Sequence, residues 1–156
     1  MANKYFAKPC FYDIENNCIL EYRPADALPD IVVRFDSQLE LKVFLTLIEV
    51  FDRSAVKRQH HIELKPKTRW SNAMFYVVDF YIACLKPFYV EAKGLMTPES
   101  KMKIKMLEIV HPAIRSNLIL VSDKETHYFG KQYKPSVSIG DLRSYIPKRN
   151  MQATVE

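Results

Sequence analysis

Asp79 interrupts the apolar run Phe75-Tyr76-Val77-Val78-Asp79-Phe80-Tyr81-Ile82, and a second run, Phe88-Tyr89-Val90-Glu91-Ala92-Lys93-Gly94, carries Glu91 and Lys93. A strand alternates its faces with period 2, so Glu91 and Lys93 emerge on one side while Ala92 points to the other. The intervening Leu85-Lys86-Pro87 predicts a turn that returns the chain antiparallel and brings Asp79 beside Glu91. Two carboxylates and an ammonium at one end of a sheet are the parts of a divalent-cation site for phosphodiester hydrolysis. Carboxylate oxygens suit hard cations such as magnesium, and a lysine can orient water or stabilise charge on phosphorus oxygens. The structural alternatives are an edge or turn-proximal contact for Asp79 and a plain salt bridge on a sheet face for Glu91 and Lys93. Asp is depleted in strand interiors, so its place inside an otherwise buried strand favours the chemical reading.

The elements that must hold these residues follow from periodicity and punctuation. Ser37-Gln38-Leu39-Glu40 has the form of a capping box opening an apolar helix that reaches about Phe51. His60 to Leu64 alternates into a strand, Lys65 to Asn72 reads as a basic loop, and the two strands above follow near residues 74–84 and 88–93. Thr97-Pro98 supplies an N-cap and first helical position for a helix ending before Pro112, with Met102, Met106 and Ile109 on one side and Lys101, Lys105 and Glu108 on another. Asn117 to Ser122 is a short, fully apolar strand of the buried type. The order α-β-β-β-α-β predicts an α/β fold, a mixed β-sheet flanked by helices. Residues 1–33 form an N-terminal extension with strand character at Tyr5-Phe6 and Phe11-Tyr12-Asp13, and Ile31 to Phe35 has the same character. Residues 123–150 form a basic, aromatic C-terminal region that reads as a clamp or a dimer surface, and Met151 to Glu156 is expected to fray.

Glu40 has two roles open to it. Lys42, Thr46 and Glu49 make the polar stripe of its helix, and Glu40 lies about 160° from that stripe, on the side of Phe44, Leu47 and Phe51. A carboxylate that points inward is costly unless it caps, pairs or binds a cation. The first turn permits either capping or approach to a metal.

With 156 residues and 48% hydrophobic content, the chain suffices for a single domain with a real core. The net charge of +5 is unevenly spread: residues 1–52 hold five basic and nine acidic side chains (net −4), residues 53–156 eighteen and nine (net +9). The basic part contains Asp79, Glu91 and Lys93, the footprint expected of a polyanion binder. Cys10, Cys18 and Cys84 are odd in number and lack a CxxC pair, which fits reduced thiols in a cytoplasmic protein. No apolar run approaches the roughly 20 residues that span a bilayer, so no membrane role is expected. His60 and His61 are adjacent, and alternation places them on opposite faces, poor geometry for sharing one metal.

Taken together, Glu40 on a helix, Asp79 on a strand, then Glu91-Ala92-Lys93-Gly94 and Thr97-Pro98 to Lys105 resemble the PD-(D/E)XK nuclease superfamily over residues 34–122. The stretch is similar to small phage-encoded endonucleases, to phage Holliday junction resolvases and to the cleaving subunit of heteromeric transposases. The resemblance implies a restriction-endonuclease-like core in one nuclease domain, residues 1–156. It implies Asp79 and Glu91 as ligands of Mg2+ or Mn2+, the Ala92 carbonyl as a further ligand, Glu40 as an accessory ligand and Lys93 as the water-orienting or charge-stabilising group. Val78 stands where the family pattern has proline. The implied reaction is attack of metal-activated water on a DNA phosphorus, leaving a 5′-phosphate and a 3′-hydroxyl, in a bacterial or phage-infected cell.

Lys65, Lys67, Arg69 and Trp70 are then candidates for nucleic-acid contact, Trp70 by stacking on an unpaired base. Lys101, Lys103 and Lys105 offer a phosphate track along the second helix, with solvated surface charge as the alternative for both groups. Partners would be DNA and either a second copy of the chain or a recombination or transposition protein. Two other functions compete: a non-catalytic nucleic-acid-binding module that keeps the nuclease fold, and a protein-interaction domain with an ordinary salt-bridged sheet. Retaining two acids that face a polyanion argues against the first, and the charge asymmetry against the second.

Overall fold

The computed structural model describes residues 8–123 and 130–152, without the side chains of 148–152. Its centre is a five-stranded mixed sheet in the order β4-β5-β6-β7-β8, built from β4 (Val56–Lys65), β5 (Met74–Ile82), β6 (Phe88–Ala92), β7 (Leu118–Ser122) and β8 (Ser136–Ser138). The β4/β5 and β5/β6 pairs are antiparallel; β6/β7 and β7/β8 are parallel. A separate three-stranded antiparallel sheet, β2-β1-β3, comes from β1 (Cys10–Asp13), β2 (Cys18–Leu20) and β3 (Val32–Phe35). The helices are α1 (Gln38–Val50), α2 (Pro98–Val110), α3 (Pro112–Ser116) and α4 (Ile139–Gln152). The expected mixed sheet flanked by helices is present, in the expected order from α1 to β7 except that the short helix α3 was not expected between α2 and β7. Among the described residues, no helix is long and apolar enough to cross a membrane.

Each face of the large sheet has its own core. On one, Phe80, Ile82, Phe88, Val90, Ile119 and Val121 pack against Phe44 and Leu47 of α1 and Leu142 and Ile146 of α4. On the other, Ile62, Leu64, Tyr76, Val78, Leu118 and Leu120 pack against Ile104 and Leu107 of α2. The apolar side of α2 is therefore Ile104, Leu107 and the half-buried Met106. Met102 and Ile109, expected to face inward, are 58% and 81% exposed. The helix is only weakly amphipathic in sequence, so which of its sides faces inward was not legible from spacing.

The terminal regions are also more integrated than expected. Cys10, Tyr12 and Phe35 bury side chains in the first core and Val33 packs against it, so the residues before α1 close it instead of merely extending the chain. At the other end, β8 extends the sheet beside β7, and Leu142 and Ile146 of α4 are fully buried. This segment is thus structural from Ser136 to Ile146. Tyr5, Phe6, Tyr128 and the side chains of Lys148 and Arg149 lie outside the described residues.

One irregularity positions the site. In an unbroken strand Tyr76, Val78, Phe80 and Ile82 would share a face. Here Tyr76 and Val78 belong to one core and Phe80 and Ile82 to the other, so β5 changes faces at Asp79. Across the ladder, Arg58 pairs with Phe80 and His60 with Val78; between them Gln59 takes a positive φ of 50°. That conformation is uncommon for a residue with a Cβ and costs of order 1–3 kcal/mol, which the surrounding sheet must absorb.

Candidate active site

The β5/β6 ladder runs from Ile82–Phe88 to Phe80–Val90 and then gives way. Beyond it, β6 stays with β7 through Glu91–Leu120 and Ala92–Val121, leaving main-chain groups of β5 and β6 to find other partners. The two acids fill that gap reciprocally. The Asp79 N–H donates to Glu91 Oε2 at 3.0 Å, and the Ala92 N–H donates to Asp79 Oδ2 at 2.8 Å. Asp79 and Glu91 thus meet where the antiparallel return was expected to bring them.

Lys93 lies just past β6, anchored by its N–H to the Val121 carbonyl at 2.7 Å. Its Nζ reaches Glu91 Oε1 at 3.0 Å, as two residues on one strand face should. Glu91 is only 6% exposed, and this ion pair together with the Asp79 N–H compensates a carboxylate that would be costly to bury alone.

Glu40 is 4% exposed, on the inward side of α1 as its helical position required. Ser37 Oγ accepts from the Glu40 N–H at 3.1 Å, and Glu40 Oε2 accepts from the Asp36 N–H at 3.2 Å. The return bond of the capping motif therefore goes to Asp36, one residue before the expected Ser37. Glu40 Oε1 accepts from Arg58 Nη2 at 3.2 Å and from Gln59 Nε2 at 3.3 Å. Capping engages one oxygen, and the other faces β4.

Electrostatics tie the three acids together. Asp79 is pushed well above the ordinary carboxylate range, first by burial, then by the negative charges of Glu91 and of Glu40; the Ala92 N–H and Lys93 act in the opposite direction. Burial also raises Glu40 against the pull of Arg58. Tyr76 is raised well above a normal phenol by burial and then by Glu91 and Asp79; its hydroxyl is buried without a hydrogen-bond partner among the described residues. An acid raised in the folded state holds its proton to higher pH than the unfolded chain does. Ionising Asp79 therefore removes stability as pH rises above about 3.9, the value of an unperturbed Asp.

The donor set suits a hard cation. Oxygen ligands converge from Asp79 and Glu91, Asp79 Oδ1 has no hydrogen-bond partner among the described residues, and mutual repulsion of the three carboxylates is what a cation would relieve. No closed cage is preformed, since among the described residues no group of three or more His, Cys, Asp or Glu side chains stands ready to hold a metal ion. Asp79, Glu91 and the Ala92 carbonyl could hold one as the innermost donors, with Glu40 joining after release from Arg58 and Gln59.

The candidate nucleic-acid contacts sort differently. The loop joining β4 to β5 begins about 16 Å along β5 from Asp79, counting five residues at strand rise. Lys65 is committed to that loop itself, its Nζ donating to Ser71 Oγ and to the Pro66 and Asn72 carbonyls. Lys67, Arg69 and Trp70 are exposed, with the Arg69 guanidinium 4.1 Å over the Trp70 ring and Trp70 80% accessible. On α2, Lys101 and Lys105 are exposed, whereas Lys103 pairs with Glu99 at 3.0 Å. His60 stacks on Tyr81 at 4.8 Å, and the exposed His61 contacts Phe75 edge-on, consistent with opposite faces.

Sequence reasoning missed Arg58, Gln59 and Tyr76. A Gln inside a strand pattern was the available signal for the second. Nothing in the spacing shows that its neighbour Arg58 reaches a helix eighteen residues earlier. Compared with models of known protein families, with curated proteins and with solved structures, the chain matches none.

The two roles of Glu40 separate experimentally. Glu40→Gln keeps an acceptor for the Asp36 N–H but removes the charge a cation needs. Its single oxygen cannot also serve Arg58 and Gln59, so some loss of melting temperature is expected on either reading; if Glu40 serves a metal in the proposed nuclease, the magnesium requirement for cleavage also rises strongly. An unchanged magnesium titration would remove Glu40 from the site.

Proposed function

We propose that this protein is a metal-dependent endodeoxyribonuclease with a restriction-endonuclease-like core of the PD-(D/E)XK type, of phage or mobile-element origin, acting in the cytoplasm of the host cell. The observation that carries this reading is the meeting of Asp79, Glu91 and Lys93 where β5 and β6 part, with the buried Glu40 in electrostatic reach. An ordinary salt-bridged sheet has no need of three mutually repelling carboxylates. Bound Mg2+ or Mn2+ would supply Lewis-acid polarisation of the phosphate and a more acidic water.

The chain's own groups account for the rest. Lys93 sits at the mouth of the gap, where its ammonium can hold the attacking water or stabilise the phosphoryl oxygens as negative charge grows. The water oxygen bonds to phosphorus, the bond from phosphorus to the 3′ oxygen breaks, and that oxygen leaves with a proton, giving a 5′-phosphate. Lys67, Arg69 and Trp70 on the β4–β5 loop, with Lys101 and Lys105 on α2, would guide the strand toward the gap. A second copy of the chain or a recombination or transposition protein would supply the matching cut where both strands must be cleaved.

The non-catalytic nucleic-acid-binding reading has one observation in its favour: both acids already satisfy main-chain amides, a sufficient structural use for them. Incubating the purified chain with linear, nicked, flapped and four-way DNA in magnesium, manganese or EDTA decides between the two. Cleavage with either metal and none in EDTA is expected. Binding without cleavage on every substrate, in both metals, would establish the alternative.

A further inference from the structure

An open cleft of about 430 Å3 lies at the edge of the large sheet, between β3, α1 and the start of β4. Val33, Phe44 and Val56 give it an apolar lining, and Arg53, Ser54, Lys57 and Arg58 a polar one; among the described residues no acidic one lines it. Its size suits a small ligand, and its charge selects an anionic one.

Arg58 is the group that gives the cleft chemical definition. Its guanidinium stacks 4.1 Å over the Phe35 ring, and its Nη2 donates to the Arg34 carbonyl at 2.7 Å and to Glu40 Oε1 at 3.2 Å. Pairing with Glu40 explains Nη2 alone. The other three donors, the Nε–H and the two on Nη1, have no partner among the described residues, and Nε is buried. A guanidinium held by a ring and a carbonyl, with the two Nη1 donors left over outside the buried Nε, is preorganised for an oxyanion. Arg53, also in the lining, donates one hydrogen bond to the Asp30 carbonyl at 3.2 Å and adds a second guanidinium.

We propose that this cleft binds a phosphate group, presented either by a nucleic-acid strand or by a free nucleotide, through Arg58, Arg53 and Ser54. Its use for a strand rests on the nuclease reading; phosphate binding itself does not. Because Arg58 also holds Glu40, phosphate and Glu40 compete for one guanidinium. An occupied cleft loosens Glu40 toward Asp79 and Glu91, and binding energies make that coupling reciprocal.

The test is calorimetric titration of inorganic phosphate into the protein at low salt with EDTA, where neither metal nor cleavage enters. Saturable binding is expected, weakened about tenfold in Arg53→Gln, the cost of one charge-assisted contact. Glu40→Gln should bind phosphate severalfold more tightly, because the competing carboxylate charge is gone. Opposite signs from two variants cannot both arise from damaged folding, and a cooperative thermal melt well above the titration temperature shows that each is folded. No saturation at concentrations on the order of 10 mM, a level that even a weak millimolar site would register, overturns the proposal. So does an Arg53→Gln affinity equal to wild type.

The same titration with thymidine 5′-monophosphate and with a short single-stranded oligonucleotide identifies the source. If Arg53→Gln weakens oligonucleotide binding and phosphate competes with it, the occupant is a strand phosphate. If only the mononucleotide depends on Arg53, it is a free nucleotide. Absence of nuclease activity in the wild-type protein would leave these results standing.

Discussion

If the protein is the nuclease proposed above, replacing Asp79 or Glu91 with alanine should abolish metal-dependent DNA cleavage while preserving or strengthening DNA binding, because a negative charge facing phosphate is removed. The electrostatics allow a sharper version. Asp79 repels Glu91 and Glu40, yet its Oδ2 accepts the Ala92 N–H. Asp79→Asn keeps an acceptor for that amide and removes the repulsion, so it should inactivate the protein and raise its melting temperature together, the trade expected where a site is destabilised for function. The gain should grow as pH rises above about 3.9, since only then does the wild-type carboxylate pay for its ionisation. Thermal melts from pH 4 to 8 beside a cleavage assay measure both effects. A folded Asp79→Ala or Glu91→Ala protein that cuts at the wild-type rate would refute the assignment.

Lys93→Ala should lower single-turnover cleavage by about 10²-fold or more, the scale of losing one positioned charge stabiliser, with only a modest change in DNA affinity. Lys93 contacts Glu91 at 3.0 Å, is anchored through its main chain to Val121 and has a side chain 20% exposed, a placement that on the proposed function suits the chemical step. A group there contacts the reacting phosphate more readily than the length of a duplex. Affinity falling in proportion to the single-turnover rate would instead make Lys93 a phosphate anchor.

The local features of the site were readable because they depend on neighbours in the chain. Period 2 put Glu91 and Lys93 on one face, and the ion pair follows from it. Helical geometry placed Glu40 opposite the polar stripe of α1, and it is buried. The β5–β6 turn returned the chain antiparallel, so Asp79 and Glu91 meet. Each inference spans a dozen residues or so; the repeats of β6 and α1 survived tertiary packing, whereas that of β5 switched faces at Asp79. Where the periodic signal was weak, as on α2, the inward face came out differently, with Ile104 and Leu107 in place of Met102 and Ile109.

What the sequence by itself determined, then, is the α-β-β-β-α-β order and the identity and facing of the acids and the lysine, because backbone periodicity and capping act locally. Only the tertiary structure decided how those acids are held and what surrounds them. The positive φ at Gln59 of β4 and the change of face at Asp79 of β5 go with two paired strands that each pack against both cores, which no single segment encodes. The grip of Arg58 on Glu40 joins residues that meet only after β4 folds beside β3 and α1. The same holds for α4, whose Leu142 and Ile146 found a core only once the sheet they cover had formed. Hydrophobic burial is nondirectional and long in range along the chain, so it selects partners that spacing cannot name.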